Sequence, residues 1–191
     1  KTPKILLPET AHACFHKAAH YLGLEVVVVD VDPITFRASV ADARAKMTDD
    51  VVLVVGSAPS YTHGVIDPIE ELAALAKEHG KLMHVDACVG GCVLPFMENC
   101  APFDFSVDGV TSISMDLHKY GFAPKGISML LQRSRKLRDA QYYACANWSG
   151  YSIVNSTTLG SKSAAASGAA WTLIHHLGRE GYRERVSTMW D

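Results

Sequence analysis

Several features that would point to a partner are missing from this 191-residue chain, beginning with an excess of charge. Lys and Arg number 18 against 20 Asp and Glu, so the net charge is −2, and the two signs are interspersed. A surface for nucleic acid or an anionic membrane needs a basic footprint, so neither is expected as a partner. Long apolar runs are also lacking. The longest, such as VVLVVG at 51–56, fall far short of the roughly 20 residues of a spanning helix, and no signal-peptide pattern opens the chain. Nor is there a disulfide framework. The five cysteines (Cys14, Cys88, Cys92, Cys100 and Cys145) are odd in number and lie in apolar surroundings, as free thiols do in a reducing cytosol. A soluble, cytoplasmic protein is expected. An initiator methionine is absent, and the chain stops at VSTMWD just after an amphipathic helical pattern, which reads as a piece of something longer.

What is present is a chain that is 48% hydrophobic, enough for one core and too short for two typical domains. Apolar strand-like runs alternate with helix-like segments. KILLP is a short strand-like run, and TAHACFHKAAHYLG after it reads as a helix, with Thr10 a candidate cap and Gly23 a stop. LEVVVVDV then reads as a buried strand, SVADARAKM as a helix and DVVLVVGSA as a strand. DPIEELAALAKEHG places Ile69, Leu72, Ala73, Leu75 and Ala76 on one helix face. KLMHVDAC is the next strand, FSVDGVTSISMD is read as a pair of short ones and GISMLLQR as another. From Lys162 to Trp190 the pattern is helical, with one break near Gly178. This alternation predicts an α/β fold, a mostly parallel sheet with helices on both faces.

In such sheets ligands bind beyond the carboxyl ends of the strands, which directs attention to polar residues that end a strand. Asp86 closes KLMHVDAC after an apolar stretch, and a carboxylate carried that deep needs a cation or several donors. The strand alone leaves equal room for a structural role. Lys119 lies 33 residues later, in SMDLHKYGFAPKG, just before a Gly- and Pro-punctuated turn that carries a second lysine, Lys125. Opposite charges at two strand ends suit a chemistry in which a lysine bonds to an aldehyde cofactor while an aspartate holds a protonated ring nitrogen. The cofactor of that chemistry is pyridoxal 5'-phosphate. The lysine must shed its proton to attack, which burial or a nearby cation such as His118 or Lys125 would favour.

HVDAC followed by SMDLHKYGFAPKG resembles the active-site signature of the group II decarboxylase branch of fold-type I pyridoxal-phosphate enzymes. PETAHACFHKAAHYLGLEV, GSAPSYTHGVIDPIEELAALA and NWSG narrow the likeness to the sphingosine-1-phosphate lyase family, across nearly the whole chain. The resemblance implies that residues 1–191 are part of the cofactor-binding large domain, without the small domain or the upstream phosphate-binding glycine segment. It also implies that Lys119 is the Schiff-base lysine, Asp86 the ring-nitrogen partner and His12 the histidine stacked on the ring. His12 would then fall in the first turn of a helix capped by Thr10, where the helix dipole suits a neutral, stacking imidazole. By the same likeness His118 neighbours the cofactor phosphate and Lys125 approaches the phosphate of the substrate. His63, in SYTHGVIDP, is placed on a loop that opens near the cofactor, with a loop residue of no role as the alternative.

Other patterns are weaker. His12, His16 and His20 recur at metal-ligand spacing without an acidic or cysteine partner, and Cys88, Cys92 and Cys100 lack the paired spacing of a zinc site, so no metal is expected. His84 shares the side of Asp86 by strand alternation and either orients that carboxylate or fills space. From Ser149 to Gly168 the chain reads SGYSIVNSTTLGSKSAAASG where the family usually has GGLYGSPTLAGSRPG; Lys162 and Ser163 stand nearest the missing Arg and Pro, which removes a bidentate fork. This segment is expected to be a long loop at a homodimer interface. Three activities compete: carbon–carbon cleavage of a phosphorylated long-chain amino alcohol, amino-acid decarboxylation, and a truncated domain without catalysis. Class V aminotransferases rank below these, because Val89 stands where they usually carry Gln.

Overall fold

Valine-rich runs too short for a helix pair edge to edge in this chain, whose computed structural model describes residues 1–190. Strands β1 (Lys4–Pro8), β2 (Glu25–Val29), β3 (Val51–Ser57), β4 (Leu82–Asp86), β5 (Ser112–Met115) and β6 (Met129–Gln132) form one sheet in the order β2-β1-β3-β4-β5-β6. All neighbours are parallel except β5 and β6. Three helices make the crossovers: α1 (Cys14–Leu22), α2 (Val40–Lys46) and α3 (Ile69–Glu78). Each is bounded as its local chemistry requires. Ser39 caps α2 by accepting from the Asp42 N–H, and Gly23 ends α1 at φ 66, a left-handed turn that glycine takes without strain.

α2 and α3 cover one face of the sheet and α1 the other, so two of the three core clusters lie on opposite faces of the sheet, and the third joins Cys92, Leu117, Ala123 and Ala170. Ile69, Leu72, Ala73, Leu75 and Ala76 are the buried face of α3, as its spacing predicts, packing on Val54, Met83 and Val85. Burying each large one contributes about 1.5–3 kcal/mol before the entropy of ordering is set against it. The α1 side is thinner. Ile5, Leu7 and Val55 meet Ala19, Phe15 and Leu24 there, and the helix extends over only part of the sheet.

Three expectations are corrected. LEVVVVDV is a half-buried edge strand, because β2 ends the sheet and leaves Glu25 and Val28 exposed. FSVDGVTSISMD holds one strand, Ser112–Met115, since Asp104 and Gly109 divert the residues before it into turns. The 149–168 segment is only partly loop: Ile153–Asn155 (β8) pairs antiparallel with Tyr143–Cys145 (β7) beyond a short helix, α4 (Arg135–Asp139). The last helix, α5 (Ala165–Trp190), is interrupted at Gly178, where φ is 58, in agreement with the predicted break. No helix among the described residues is long and apolar enough to cross a membrane.

Candidate functional site

Across the face that α1 partly covers, the parallel register places Val55 beside His84 and Ser57 beside Asp86, then His84 beside Ser112 and Asp86 beside Ser114. The face therefore turns from apolar to polar between β3 and β4. Its polar half, with the loops that follow β4 and β5, lines a cavity of about 550 Å3 that also meets His12, Cys14, Phe15, Cys88, Asp116 and Lys119. That volume suits a small cofactor or substrate, and it lies at the carboxyl ends of β4 and β5.

Asp86 is 6% exposed and has no cationic partner among the described residues. Its Oδ1 accepts from the Cys88 N–H at 3.1 Å and from the Ser114 hydroxyl at 3.0 Å. The strand end is fixed as well, since the Ala58 N–H donates to the Asp86 carbonyl at 2.8 Å. Behind this turn, a Cβ on Gly90 would come within 2.1 Å of the Ala58 carbonyl oxygen, and one on Gly91 within 2.5 Å of Met115 Cβ. The glycine pair after Asp86 is thus what lets the segment after β4 pack against the end of β3 and the end of β5.

Lys119 follows β5 and points its ammonium at Asp116, Nζ to Oδ2 2.9 Å. Burial pushes the amine down most strongly of any one influence, but Asp116 and Cys88 together raise Lys119 above the ordinary ammonium range. Burial acts in the expected direction, but the expected neighbouring cation is replaced by an anion, and the amine is raised rather than lowered. The Cys88 thiol is raised by burial to about 11, so at neutral pH it carries no charge and Asp116 is the anion beside the amine. For Asp116 burial acts upward, and Ser128, Lys119 and His118 together bring it below the usual carboxylate value.

His12 reaches the same cavity from the other side, with a local geometry different from that expected. Helix α1 begins at Cys14 behind Ala13 and has no side-chain cap of its own, while the Thr10 hydroxyl is buried without a partner. His12 does the local work instead: its Nδ1 accepts from the Cys14 N–H at 3.1 Å, which fixes the ring against the helix start and leaves Nε2 to carry the proton. Tyr61 meets it edge-on at 6.2 Å. His16 and His20 are exposed on the outer side of α1.

The structure brings Lys119, Asp86 and His12 together and leaves three other candidates outside the cavity lining. His118 is half-buried on the far side of the Lys119 turn, with Nε2 3.7 Å from Asp116 and a buried, unpartnered Nδ1. Lys125 is exposed on the turn itself, because Gly126 at φ 105 carries the chain away again. His63 stacks on Phe36 at 4.2 Å and lines a separate, shallower depression. Reasoning from sequence missed Asp116, Cys88, Cys14 and Ser114. For Asp116 the signal was there, an acid three residues before the lysine in a tight turn; for the others only the register shows it.

The residues present fit a pyridoxal ring. A buried carboxylate without a cation, an amine and a fixed imidazole at opposite walls are the donor set it needs, for its ring nitrogen, its aldehyde and its face respectively. Among the described residues no group of three or more His, Cys, Asp and Glu is arranged to hold a metal ion.

Comparison with known proteins points to the same cofactor. The family described as pyridoxal-dependent decarboxylase conserved domain matches residues 1–190. The chain is 44% identical over 193 aligned positions to a sphingosine-1-phosphate lyase of Arabidopsis thaliana, covering 99% of this chain and 35% of that one. The corresponding lyase of Dictyostelium discoideum is 41% identical, with 96% and 36% covered. Among solved structures, the sphingosine-1-phosphate lyase of Burkholderia pseudomallei superposes with a TM-score of 0.95 at 39% identity, over 97% of this chain and 44% of that one. A Lactobacillus brevis glutamate decarboxylase shares the fold, with a TM-score of 0.86 at 23% identity. The chain thus spans about a third of the length of the curated relatives it matches. With its match running from the first residue to residue 190, this chain belongs to the pyridoxal-dependent decarboxylase family.

Proposed function

We propose that this chain is the cofactor-binding part of the large domain of a lyase that uses pyridoxal 5'-phosphate. The complete protein cleaves a carbon–carbon bond of a phosphorylated long-chain amino alcohol, releasing an aldehyde and phosphoethanolamine. The observation that carries this reading is the meeting of Lys119, Asp86 and His12 around one cavity at the carboxyl ends of β4 and β5. Identity of about 40% to proteins named sphingosine-1-phosphate lyases supports the choice of substrate over an amino acid. The small domain and the rest of the phosphate cradle have their place in the length of the relatives that this chain does not cover, about two thirds of the Arabidopsis lyase.

Bound in this cavity, the cofactor supplies an aldehyde for an amine and a ring that withdraws electrons from a developing carbanion. The chain's own residues do the rest. Lys119 is the amine, and before its nitrogen can bond to carbon it gives up a proton, a loss that the ion pair with Asp116 at 2.9 Å opposes. Asp86 would hold the proton of the ring nitrogen by accepting from it. His12, fixed by the Cys14 N–H, would stack on the ring and cover one face of the site. Lys125, exposed on the turn after Lys119, attracts the substrate phosphate as a point charge, and His118 and His63 stand further out.

The protein works as a homodimer. Trp148, Tyr151, Val154 and Leu159 leave large apolar surfaces in solvent on and beside the β7–β8 hairpin, which suits a contact with a second copy. Its five cysteines are unpaired, as in a cytoplasmic protein. The test uses the complete protein with pyridoxal phosphate and a phosphorylated long-chain amino alcohol, with the products identified by mass spectrometry. A long-chain aldehyde together with phosphoethanolamine is the expected result. Carbon dioxide from amino acids without any aldehyde would replace this reading by the decarboxylase one.

A further inference from the structure

Resting on the reading of Asp86 as the partner of a ring nitrogen, we propose that Ser112, His84 and Ser114 form a one-directional hydrogen-bond relay that aims the Asp86 carboxylate into the cavity. His84 and Ser114 are its positioning residues. The contacts are continuous: Ser112 Oγ to His84 Nδ1 is 2.8 Å, His84 Nε2 to Ser114 Oγ 3.2 Å, and Ser114 Oγ to Asp86 Oδ1 3.0 Å. Strand pairing builds the chain, since Ser112 lies opposite His84 and Ser114 opposite Asp86, all on the cavity face. Ser112, His84 and Asp86 are each no more than 9% exposed, so water does not compete for the buried end.

Direction follows by elimination from the acceptor end. A carboxylate oxygen only accepts, so the single hydroxyl proton of Ser114 goes to Asp86. Ser114 must then accept from His84, which places the imidazole proton on Nε2. Nδ1 is left as an acceptor, and Ser112 donates to it. A neutral imidazole has one donor and one acceptor, as this scheme requires, and burial of His84 lowers it toward the neutral form although Asp86 opposes that shift. With the other tautomer, Ser114 would be asked for its one proton by both neighbours, and Asp86 Oδ1 would keep only the Cys88 N–H. The outcome is that Oδ1 is fully engaged by Ser114 and Cys88, which reserves Oδ2 for whatever occupies the cavity. An apolar residue at position 84, in line with Met83 and Val85, would fill the same space without imposing an orientation.

The experiment has two arms on the complete protein. Without cofactor, long-range nitrogen–proton correlation of the imidazoles, with His84→Gln for assignment, should show His84 as a single Nε2–H tautomer. An Nδ1–H or averaged signal overturns the relay, whatever Asp86 binds. With pyridoxal phosphate labelled at its ring nitrogen, Ser114→Ala should move that resonance from the protonated toward the neutral pyridine position. It should also weaken cofactor binding about tenfold, the scale of one hydrogen bond to a charged group. Ser114→Thr, which keeps the hydroxyl, should restore both. A ring-nitrogen signal unchanged by Ser114→Ala but moved by Asp86→Asn overturns the relay alone. If Asp86→Asn leaves that signal unchanged too, the assignment of Asp86 fails, and the tautomer of His84 still decides whether the relay exists.

Discussion

Replacing Asp116 by Asn removes the charge beside Lys119 and keeps the shape, so it isolates what that carboxylate does to the amine. At the observed 2.9 Å, two unit charges in an effective dielectric of about 20 attract by roughly 6 kcal/mol. Solvent reaches this pair, because the Lys119 side chain is 31% exposed and Asp116 14%, and that access reduces the net effect to a few kcal/mol. At about 1.4 kcal/mol per pH unit, Lys119 in Asp116→Asn should lose its proton one to two pH units earlier than in the parent. Burial then acts on the amine with less opposition, and its direction is downward. The assay is competitive acetylation of the cofactor-free protein across pH, with the Lys119 peptide quantified by mass spectrometry. Capture of added pyridoxal phosphate at neutral pH should be correspondingly faster in the variant. If the acetylation midpoint of Lys119 is the same in both proteins, Asp116 is not the group that holds the proton, and attraction across this ion pair does not set the charge of the amine.

Four further outcomes are expected. Lys119→Ala should lose the visible absorbance band that borohydride traps in the parent incubated with pyridoxal phosphate; a band that persists means another lysine holds the aldehyde. Gly90→Ala drives a Cβ to 2.1 Å from the Ala58 carbonyl oxygen and should cost about 1–3 kcal/mol, measured as a lowered urea midpoint, whereas a parental midpoint would show that the loop yields freely. Trp148→Ser combined with Tyr151→Ser removes exposed apolar area from the β7–β8 hairpin and should shift the complete protein toward monomer in light scattering. Lys125→Ala should reduce the preference of the complete enzyme for phosphorylated over dephosphorylated substrate, and equal discrimination in both proteins counts against a phosphate contact there.

Elements whose burial is set by one face were legible from the chain, and elements set by their neighbours were not. The α3 stripe could be read because Ile69, Leu72, Ala73, Leu75 and Ala76 all face one sheet, so the 3.6-residue period survives intact. The four successive valines of β2 look like a strand covered on both faces, yet sheet order puts β2 at an edge, and order is not a local property. The β7–β8 hairpin and α4 were overlooked for a related reason. Each is three to five residues long, with little buried area to leave a periodic trace.

In the site, the two residues that end strands, Asp86 and the lysine after β5, were identifiable because a charge following an apolar run has few places to go. What could not be read was how the charges are paired. Lys119 was expected to be eased toward neutrality by cations nearby in sequence, but a tight turn puts Asp116 at its nitrogen while Lys125 continues outward past Gly126. Proximity along the chain overstated Lys125 and understated Ser114, which lies 28 residues from Asp86 and is brought against it by parallel register alone. A parallel sheet places every second residue of adjacent strands in one row, so a polar row such as Ser112, His84, Ser114 and Asp86 becomes visible only once the register is known. Within the sequence its one local trace is a pair of serines two apart in an otherwise apolar strand, matched by a histidine two before an aspartate in its neighbour. That pattern, a polar residue repeated at period two in each of two consecutive strands, is the signal to seek where a parallel sheet supports a buried charge.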